Sequence, residues 1–275
     1  MYSPLIKPKP GFMINPLHPL SNGLVCSYLC NEGHGRLAND ISGKGNHGIL
    51  RNISQNSQSS GWCSSKLGGS LQLDGINDDS LLLTTKASFS FWLKPNNVTG
   101  LYIGLIGRTD SPLYNYIVRI SNGVLELRAW NGTADTVASD TAIIEVNKWQ
   151  YITVVVDLPD VHFYKNGILI KSDTPTFTSL DDGGVTDTNI GVYRYSGGVY
   201  YNGVIDLINI YNRSLNIKEV EMLYRNPFCN ILTVPISRYY VAPTGGWTGI
   251  INGITNPSYI NGIAVANIEK VNGVA

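Results

Sequence analysis

The chain of 275 residues carries 20 Lys and Arg against 20 Asp and Glu, so its formal charge is +0, and 15% of its residues are charged. That balance excludes a protein that works through phosphate contacts, which needs a basic surface, and no apolar run approaches the ~20 residues of a membrane-spanning helix. With 16 Tyr, 29 Gly and only 3 Met, strands and turns are favoured over helices, and the length suits one sandwich of roughly 200–250 residues.

Residues 1–22 contain Pro4, Pro8, Pro10, Pro16 and Pro19. So many prolines exclude regular structure and predict an extended arm lying on a surface. The opening MYSPLIKPKPGF lacks the apolar core of a secretory signal, which predicts maturation without signal-directed export. The first strand is expected over 23–29, followed by a polar, glycine-punctuated loop over 31–48. Alternation then marks strands at 70–74 and 87–94. In the second of these Phe89, Phe91 and Leu93 share one face, and Ser88, Ser90 and Trp92 share the other, polar face.

Further strands are expected at 101–107, 114–120 and 124–130, with Asn122-Gly123 turning the last two into a hairpin. The strongest strand pattern is WQYITVVVDL, 149–158. A Pro-Asp turn leads to 161–165, and Asn166-Gly167 turns the chain into 168–171. Strands at 189–195 and 203–211 complete the set. About a dozen short strands separated by turn signals is the sequence form of a sandwich. One helix is expected: Asn216-x-x-Glu219 fits a capping box, Ile217, Val220, Leu223 and Tyr224 form an apolar stripe, and Pro227 ends it. From 228 the composition changes. Ile/Val-Asn-Gly-Ile/Val recurs at 251–254, 260–263 and 271–274, too irregularly for a solenoid, and predicts small hairpins or strands that pair with a neighbour. The chain therefore divides into a proline-rich arm (1–22), a β-sandwich (23–227) and a glycine-rich tail (228–275).

Cys26 and Cys30 lie four residues apart in an apparent strand, on one face and too distant for an easy disulfide. With Cys63 and Cys229 they lack the clustering of a zinc site and read as buried free thiols.

Seven runs in consistent order carry a family likeness: HPLSNGLVCSYLCNEGHG (18–35), NDISGKGNHGIL (39–50), GGSLQLDGINDD (68–79), FSFWLKP (89–95), KWQYITVVVD (148–157), VHFYKNG (161–167) and GVIDLINIYNRSLNIKEVEMLY (203–224). Together they resemble the laminin-G-like domains of the concanavalin A-like superfamily. The resemblance implies an all-β, two-sheet antiparallel jelly-roll sandwich with one short helix and extended terminal segments. The opening phrase and the closing NGIAVANIEKVNGVA also look like those of phage-encoded laminin-G-like proteins. That likeness implies a virion protein of decoration, fibre or appendage type, partnered by other virion proteins and by its own copies.

In related domains a calcium ion ties a D-x-S-G-x-G-N-x-G loop to a strand bearing Ile-Asp-Glu. The resemblance puts such a structural Ca²⁺ at Asp40, Asn46, Gly48 and Asp206, oxygen donors suited to a hard cation. Here Leu207 stands where that strand carries Glu, and Asp40 and Asn46 equally suit turns that bond their own backbone. By alternation Asp206 shares a face with Val204, Ile208 and Ile210, where an acid must be paired, hydrogen-bonded or metal-bound. The 40–48 loop or Arg213 could also serve it.

Glycans stack on aromatic faces with polar groups at the rim. The candidates are Trp92, Trp130, Tyr193, Tyr195, Tyr200 and Tyr201, each of which could equally be a core edge or a subunit contact. Hydrolysis of a glycan needs two facing acids, and the acids here, Glu126, Glu145, Asp157 and Asp206, are isolated along their strands. The histidines (His18, His34, His47, His162) accompany no Gly-x-Ser-x-Gly elbow. The expectation is a non-enzymatic virion protein that displays a lectin-like sandwich, with host attachment through a glycan as one use. A carbohydrate-binding module outside a virion and a polysaccharide-degrading enzyme are the alternatives.

Overall fold

The structure is a computed structural model. It describes residues 7–8, 11–32, 35–51, 61–63, 66–68, 70–73, 81, 83–100, 102–110, 113–130, 134–180, 188–193, 199–231, 250–251, 254–255, 259–260 and 263–264. Two units result, Met1–Ile231 and Leu232–Ala275.

In the first unit the strands are β1 (Leu24–Tyr28), β2 (Leu37–Ala38), β3 (Gly48–Arg51), β4 (Gly61–Cys63), β5 (Lys66–Gly68), β6 (Ser70–Leu73), β7 (Lys86–Pro95), β8 (Ile103–Asp110), β9 (Leu113–Ser121), β10 (Val124–Trp130), β11 (Ala134–Ala142), β12 (Gln150–Asp157), β13 (Asp160–Lys165), β14 (Ile168–Asp173), β15 (Thr188–Ile190), β16 (Val192–Tyr193), β17 (Val199–Tyr200) and β18 (Gly203–Tyr211). Helix α1 (Ile217–Arg225) follows them. A six-stranded sheet runs β1-β18-β7-β12-β13-β14, and an eight-stranded sheet runs β11-β10-β9-β8-β15-β6-β3-β2. Neighbouring strands are antiparallel throughout. This is the all-β jelly-roll sandwich that the sequence predicts.

Two-residue alternation builds the main core. Phe89, Phe91, Leu93, Val154, Val156 and Phe163 of one sheet face Tyr116, Val118, Ile120, Leu125 and Leu127 of the other. Each such side chain taken from water contributes ~1.5–3 kcal/mol. The Asn-Gly turns behave as expected: Asn122 and Gly123 (φ 48° and 82°) and Asn166 and Gly167 (φ 52° and 78°) all take positive φ, the demand of the tight hairpin turn. β11 is not among the strands expected from sequence. Its ADTVASDTA is too polar to announce an edge strand.

The outer face of the six-stranded sheet corrects one expectation. Ser88, Ser90 and Trp92 do share it, but it is not a solvent face. Trp92, Tyr151, Val155, Tyr164, Leu207 and Tyr211 form a second core there with Leu20, Leu24, Val220, Leu223 and Ile231. α1 and the segment 12–24 roof this face. Asn216 caps α1, with its side chain accepting from the Lys218 and Glu219 amides while Glu219 accepts from the Asn216 amide. Arg213 locks that cap through Glu219 at 2.7 Å and 2.9 Å. Ile14 bridges Ile231, and the Asn15 amide donates to the Asn230 carbonyl at 2.7 Å.

A second correction concerns β18. Leu207 adopts φ 48°, and the register with β7 shifts between Asp206 and Asn209. This bulge reverses the inward parity: Ile205 points into the main core before it, Ile208 and Ile210 after it. Asp206 therefore leaves the face of Ile208 and Ile210 and pairs across to Trp92 on the outer side.

The second unit has two short pairs, Ile250–Ile251 with Ile254–Thr255 and Tyr259–Ile260 with Ile263–Ala264. Each flanks an Asn-Gly of the repeat. The third copy, 271–274, lies outside the described residues. Among the described residues no helix is long and apolar enough to cross a membrane.

Candidate functional site

The loop between β2 and β3 folds around Asp40. One carboxylate oxygen, Oδ1, accepts from the Ser27 and Ser42 amides at 2.8 Å and 2.9 Å. The other accepts from the Ser42 hydroxyl at 2.7 Å and the Asn46 amide at 3.0 Å. Asn46 in turn donates to the Val25 carbonyl at 2.7 Å, and the Tyr28 hydroxyl donates to the Asn46 carbonyl. Gly48 is a ladder residue opposite Ala38 and Leu73.

A carboxylate offers about four lone-pair sites, and protein donors take all four of Asp40's. At the other end of the expected set, Asp206 accepts the Lys7 ammonium at 2.5 Å and the Leu207 amide at 2.9 Å. Protein donors fill Asp40, and at Asp206 an ammonium already stands where a cation would, with Oδ1 accepting from both Lys7 and Leu207. Among the described residues no cluster of three His, Cys, Asp or Glu side chains could hold a metal. The donor set does not fit Ca²⁺, and Lys7 is the partner that Asp206 requires, in place of Arg213 or the loop. Burial raises the Asp206 carboxyl above its ordinary value despite that ammonium.

The aromatic candidates separate into three places. Trp92 is 4% exposed and stacks on Tyr224 at 5.7 Å beneath α1, and Tyr201 is 5% exposed inside the main core with its hydroxyl on the Val204 carbonyl. Burial removes both from any ligand. Tyr195 lies outside the described residues. The remaining three, Trp130, Tyr193 and Tyr200, belong to the outer side of the eight-stranded sheet.

That side is built by a glycine. Gly104 carries no side chain where the chain crosses over it: a Cβ there would lie 2.4 Å from the Val192 carbonyl. The crossing follows a break in the strand expected at 189–195. Gly191, at φ 76°, bends the chain out of β15, and its amide donates to the Leu105 carbonyl at 2.9 Å. The β16–β17 ribbon thus lies on β8. Tyr193 is 2% exposed under it, and Tyr200 is 47% exposed on it.

Next to the ribbon Tyr102 holds φ 66° and is 37% exposed. Its ring meets Tyr193 edge-on at 5.9 Å. The Arg119 guanidinium lies 4.1 Å from the Tyr102 ring centre and 5.8 Å from that of Tyr193. Opposite-charge pairing across β9 and β10 fixes it, with Nε on Glu126 Oε2 at 2.6 Å. Trp130, half-buried, stands on the same face of β10, four residues along, about 13 Å away by strand rise. Sequence reading missed Tyr102 and Arg119. The only trace of them was a glycine where a strand would prefer a side chain.

Two facing carboxylates about 5–9.5 Å apart are the minimum for glycosidic hydrolysis. Among the described carboxylates of β10 and β11, Glu126 is held by Arg119 at 2.6 Å and Asp140 by Lys171 at 2.6 Å, each tied to a cation. Glu145 and Asp157 sit elsewhere, tied to Lys165 at 2.8 Å and to Lys86 at 2.9 Å. His47 accepts from the Asp40 amide at 3.2 Å, which makes it a loop residue.

A sequence model of the concanavalin A-like lectin/glucanases superfamily matches residues 68–221, more than half of the chain. No curated protein matches. Among solved structures, the chain is similar to the binding domain of paraclostridial mosquitocidal protein 1, with 21% identity over 76% of this chain and 53% of that one and a TM-score of 0.57. Domain 4 of AbnA, a GH43 extracellular arabinanase from Geobacillus stearothermophilus solved in complex with arabinotriose, is 21% identical over 73% of this chain and 98% of its own, with a TM-score of 0.55. The binding domain of botulinum neurotoxin serotype D is 17% identical over 76% and 52%, with a TM-score of 0.53. The chain thus spans about half of the two toxin binding domains. Identities this low speak for a shared fold alone.

Proposed function

The chain belongs to the concanavalin A-like lectin/glucanase superfamily, and from that premise we propose that it works without catalysis, binding a glycan on the ribbon side of its eight-stranded sheet. The observation that carries this is the exposed Tyr102 ring set beside a buried Tyr193 and a guanidinium held by Glu126, with Tyr200 exposed on the same ribbon as Tyr193. A ring fixed as Tyr102 is by Tyr193 and Arg119 loses little entropy on stacking against a sugar, and Glu126 beside it is neutralised. The likeness to toxin binding domains and to an arabinanase domain solved with arabinotriose supports a binding task.

The setting we propose is a virus particle. Its support is the resemblance of the opening phrase and of the closing NGIAVANIEKVNGVA (261–275) to phage-encoded laminin-G-like proteins, and a tail whose Ile-rich strand pairs could add to neighbouring chains. In this reading the tail engages virion proteins or sister copies, and the sandwich points outward.

Two experiments test the reading. On a broad glycan array the full chain should bind a limited set of glycans, and Tyr102→Ala with Tyr200→Ala should abolish that binding without lowering the melting temperature. An array that stays blank, or binding indifferent to both tyrosines, defeats the glycan reading. Deleting 232–275, which spares the Ile14–Ile231 bridge, should leave the sandwich folded and prevent incorporation into particles. Normal incorporation defeats the virion reading.

A further inference from the structure

We propose that Lys7 is the sandwich's built-in cation. Its ammonium occupies a cradle of oxygens in which a metal ion could otherwise sit, and so clasps the N-terminal segment to the end of β1 and the bulge of β18. The stoichiometry is complete. An ammonium has three N–H donors, and Lys7 Nζ meets three acceptors: the Leu29 carbonyl at 2.8 Å, the Cys30 carbonyl at 3.2 Å and Asp206 Oδ1 at 2.5 Å.

Two carbonyls and a carboxylate are the donors of a hard-cation site, here collected around nitrogen. Backbone geometry has been bent to collect them. Cys30 at φ 51° and Leu207 at φ 48° are both left-handed residues without the excuse of glycine. The first follows the end of β1 and supplies one of the carbonyls. The second makes the bulge that carries Asp206 to the outer side and adds its own amide at 2.9 Å.

The pair is well removed from water, with side-chain exposures of 18% for Lys7 and 4% for Asp206. Breaking such a pair strands a buried charge. Glu32 adds a second negative charge nearby, and it raises the Asp206 carboxyl in the same sense as burial does. A chain without Lys7 would hold an oxygen-lined, acid-rich pocket with no counter-ion.

The consequence is anchorage. Asn31 Nδ2 also donates to the Pro8 carbonyl at 2.6 Å, and farther on Phe12 and Ile14 pack against the second core. Gly11, Phe12 and Met13 form one wall of a cavity of about 340 Å³ whose other side includes Leu29, Ile41 and His47. Lys7 thereby anchors the segment that forms this wall.

The test is a thermal double-mutant cycle on the full chain with metal as a second variable. Wild type should melt at the same temperature in EDTA and in millimolar Ca²⁺. Lys7→Met should melt roughly 6–20 °C lower, and limited proteolysis should then cut the segment before Leu24 while sparing the sandwich. Adding Asp206→Asn to Lys7→Met should recover at least half of the lost melting temperature, because the stranded charge is gone. If Lys7→Met does not fold well enough to melt, recovery of a cooperative transition in the double variant is the same result. A wild-type melting temperature raised by Ca²⁺, an unaltered Lys7→Met, or strictly additive losses in the double variant overturns the proposal.

Discussion

Substituting Gly104 by Ala is a one-carbon perturbation aimed at the seat of the β16–β17 ribbon. No positive φ is required at Gly104, so alanine suits the backbone and the effect is steric. The new Cβ would lie 2.4 Å from the Val192 carbonyl and 2.5 Å from the Tyr193 amide nitrogen. Ordinary carbon contacts are about 3.5–4.0 Å, so the ribbon must rise by about 1 Å or more. Both obstacles are backbone and no rotamer change relieves them. The rise draws Tyr193 away from Tyr102 and Arg119, now 5.9 Å and 5.8 Å distant.

Overpacking of this kind costs ~1–3 kcal/mol, which for a body of this size lowers the melting temperature by roughly 2–12 °C. Calorimetry reads that loss. Amide exchange locates it, because the Gly191 and Tyr201 amides, bonded at 2.9 Å and 2.8 Å to the Leu105 and Gly191 carbonyls, should lose protection before the strands of the six-stranded sheet do. Glycan binding should fall with them. An alanine variant that matches the wild type in melting, exchange and binding refutes the claim that the ribbon is seated on this glycine.

Other substitutions and titrations address the remaining claims. Trp92→Ala should cost ~3–5 kcal/mol, as a large aromatic removed from a packed core does, and leave glycan binding intact at temperatures where the variant is folded; calorimetry beside the array decides, and lost binding with unchanged melting reverses the assignment. The Lys148 and Lys165 ammoniums hold the Glu145 carboxyl down to about 2, against about 4.3 when unfolded. The stabilisation this gives is complete above the unfolded value and vanishes as pH falls through about 2. It is small because the carboxylate is 44% exposed, and carbon-detected NMR should find that midpoint. Burial raises the phenols of Tyr28, Tyr201 and Tyr211, so their contribution is complete below the unfolded value near 10 and fades at higher pH. Ultraviolet titration should show these rings ionising only with alkaline unfolding. Burial likewise pushes the Cys30 and Cys229 thiols up, yet both are half-buried where the sequence predicts buried thiols, and only Cys26 of the three is fully buried; mass-resolved alkylation at pH 8 should mark Cys26 only after denaturation and Cys229 before it.

What the sequence made legible was whatever depends on neighbours within a few residues. Phe89, Phe91 and Leu93 alternate into one core because pleating places every second side chain together. The Asn122-Gly123 and Asn166-Gly167 turns and the Asn216–Glu219 cap follow from local hydrogen-bonding and steric preferences. Illegibility began where a face has two meanings. Ser88, Ser90 and Trp92 read as a wetted surface, since sequence period cannot tell a solvated face from one roofed by a distant helix, and the polar β11 escaped notice because an edge strand needs few apolar residues.

Site geometry failed to show for a related reason: it depends on exceptions to periodicity. One bulge at Leu207 moved Asp206 to the opposite side of its sheet, and nothing in VIDLINI marks that residue as left-handed. Its partner Lys7 lies 199 positions away, in a proline-rich stretch that local reasoning could describe only as an arm. The same holds on the ribbon side. Tyr102 and Arg119 matter because Gly104 admits a crossing chain, and the residues that cross it, Val192 and Tyr193, were read as part of an unbroken strand. A binding face assembled from one absent side chain and one bent strand leaves almost no signature along the chain. On a sandwich of this kind, then, a glycine inside an otherwise regular strand is a better pointer to a candidate site than a conspicuous tryptophan, because Trp92 went to the core and Gly104 made the room.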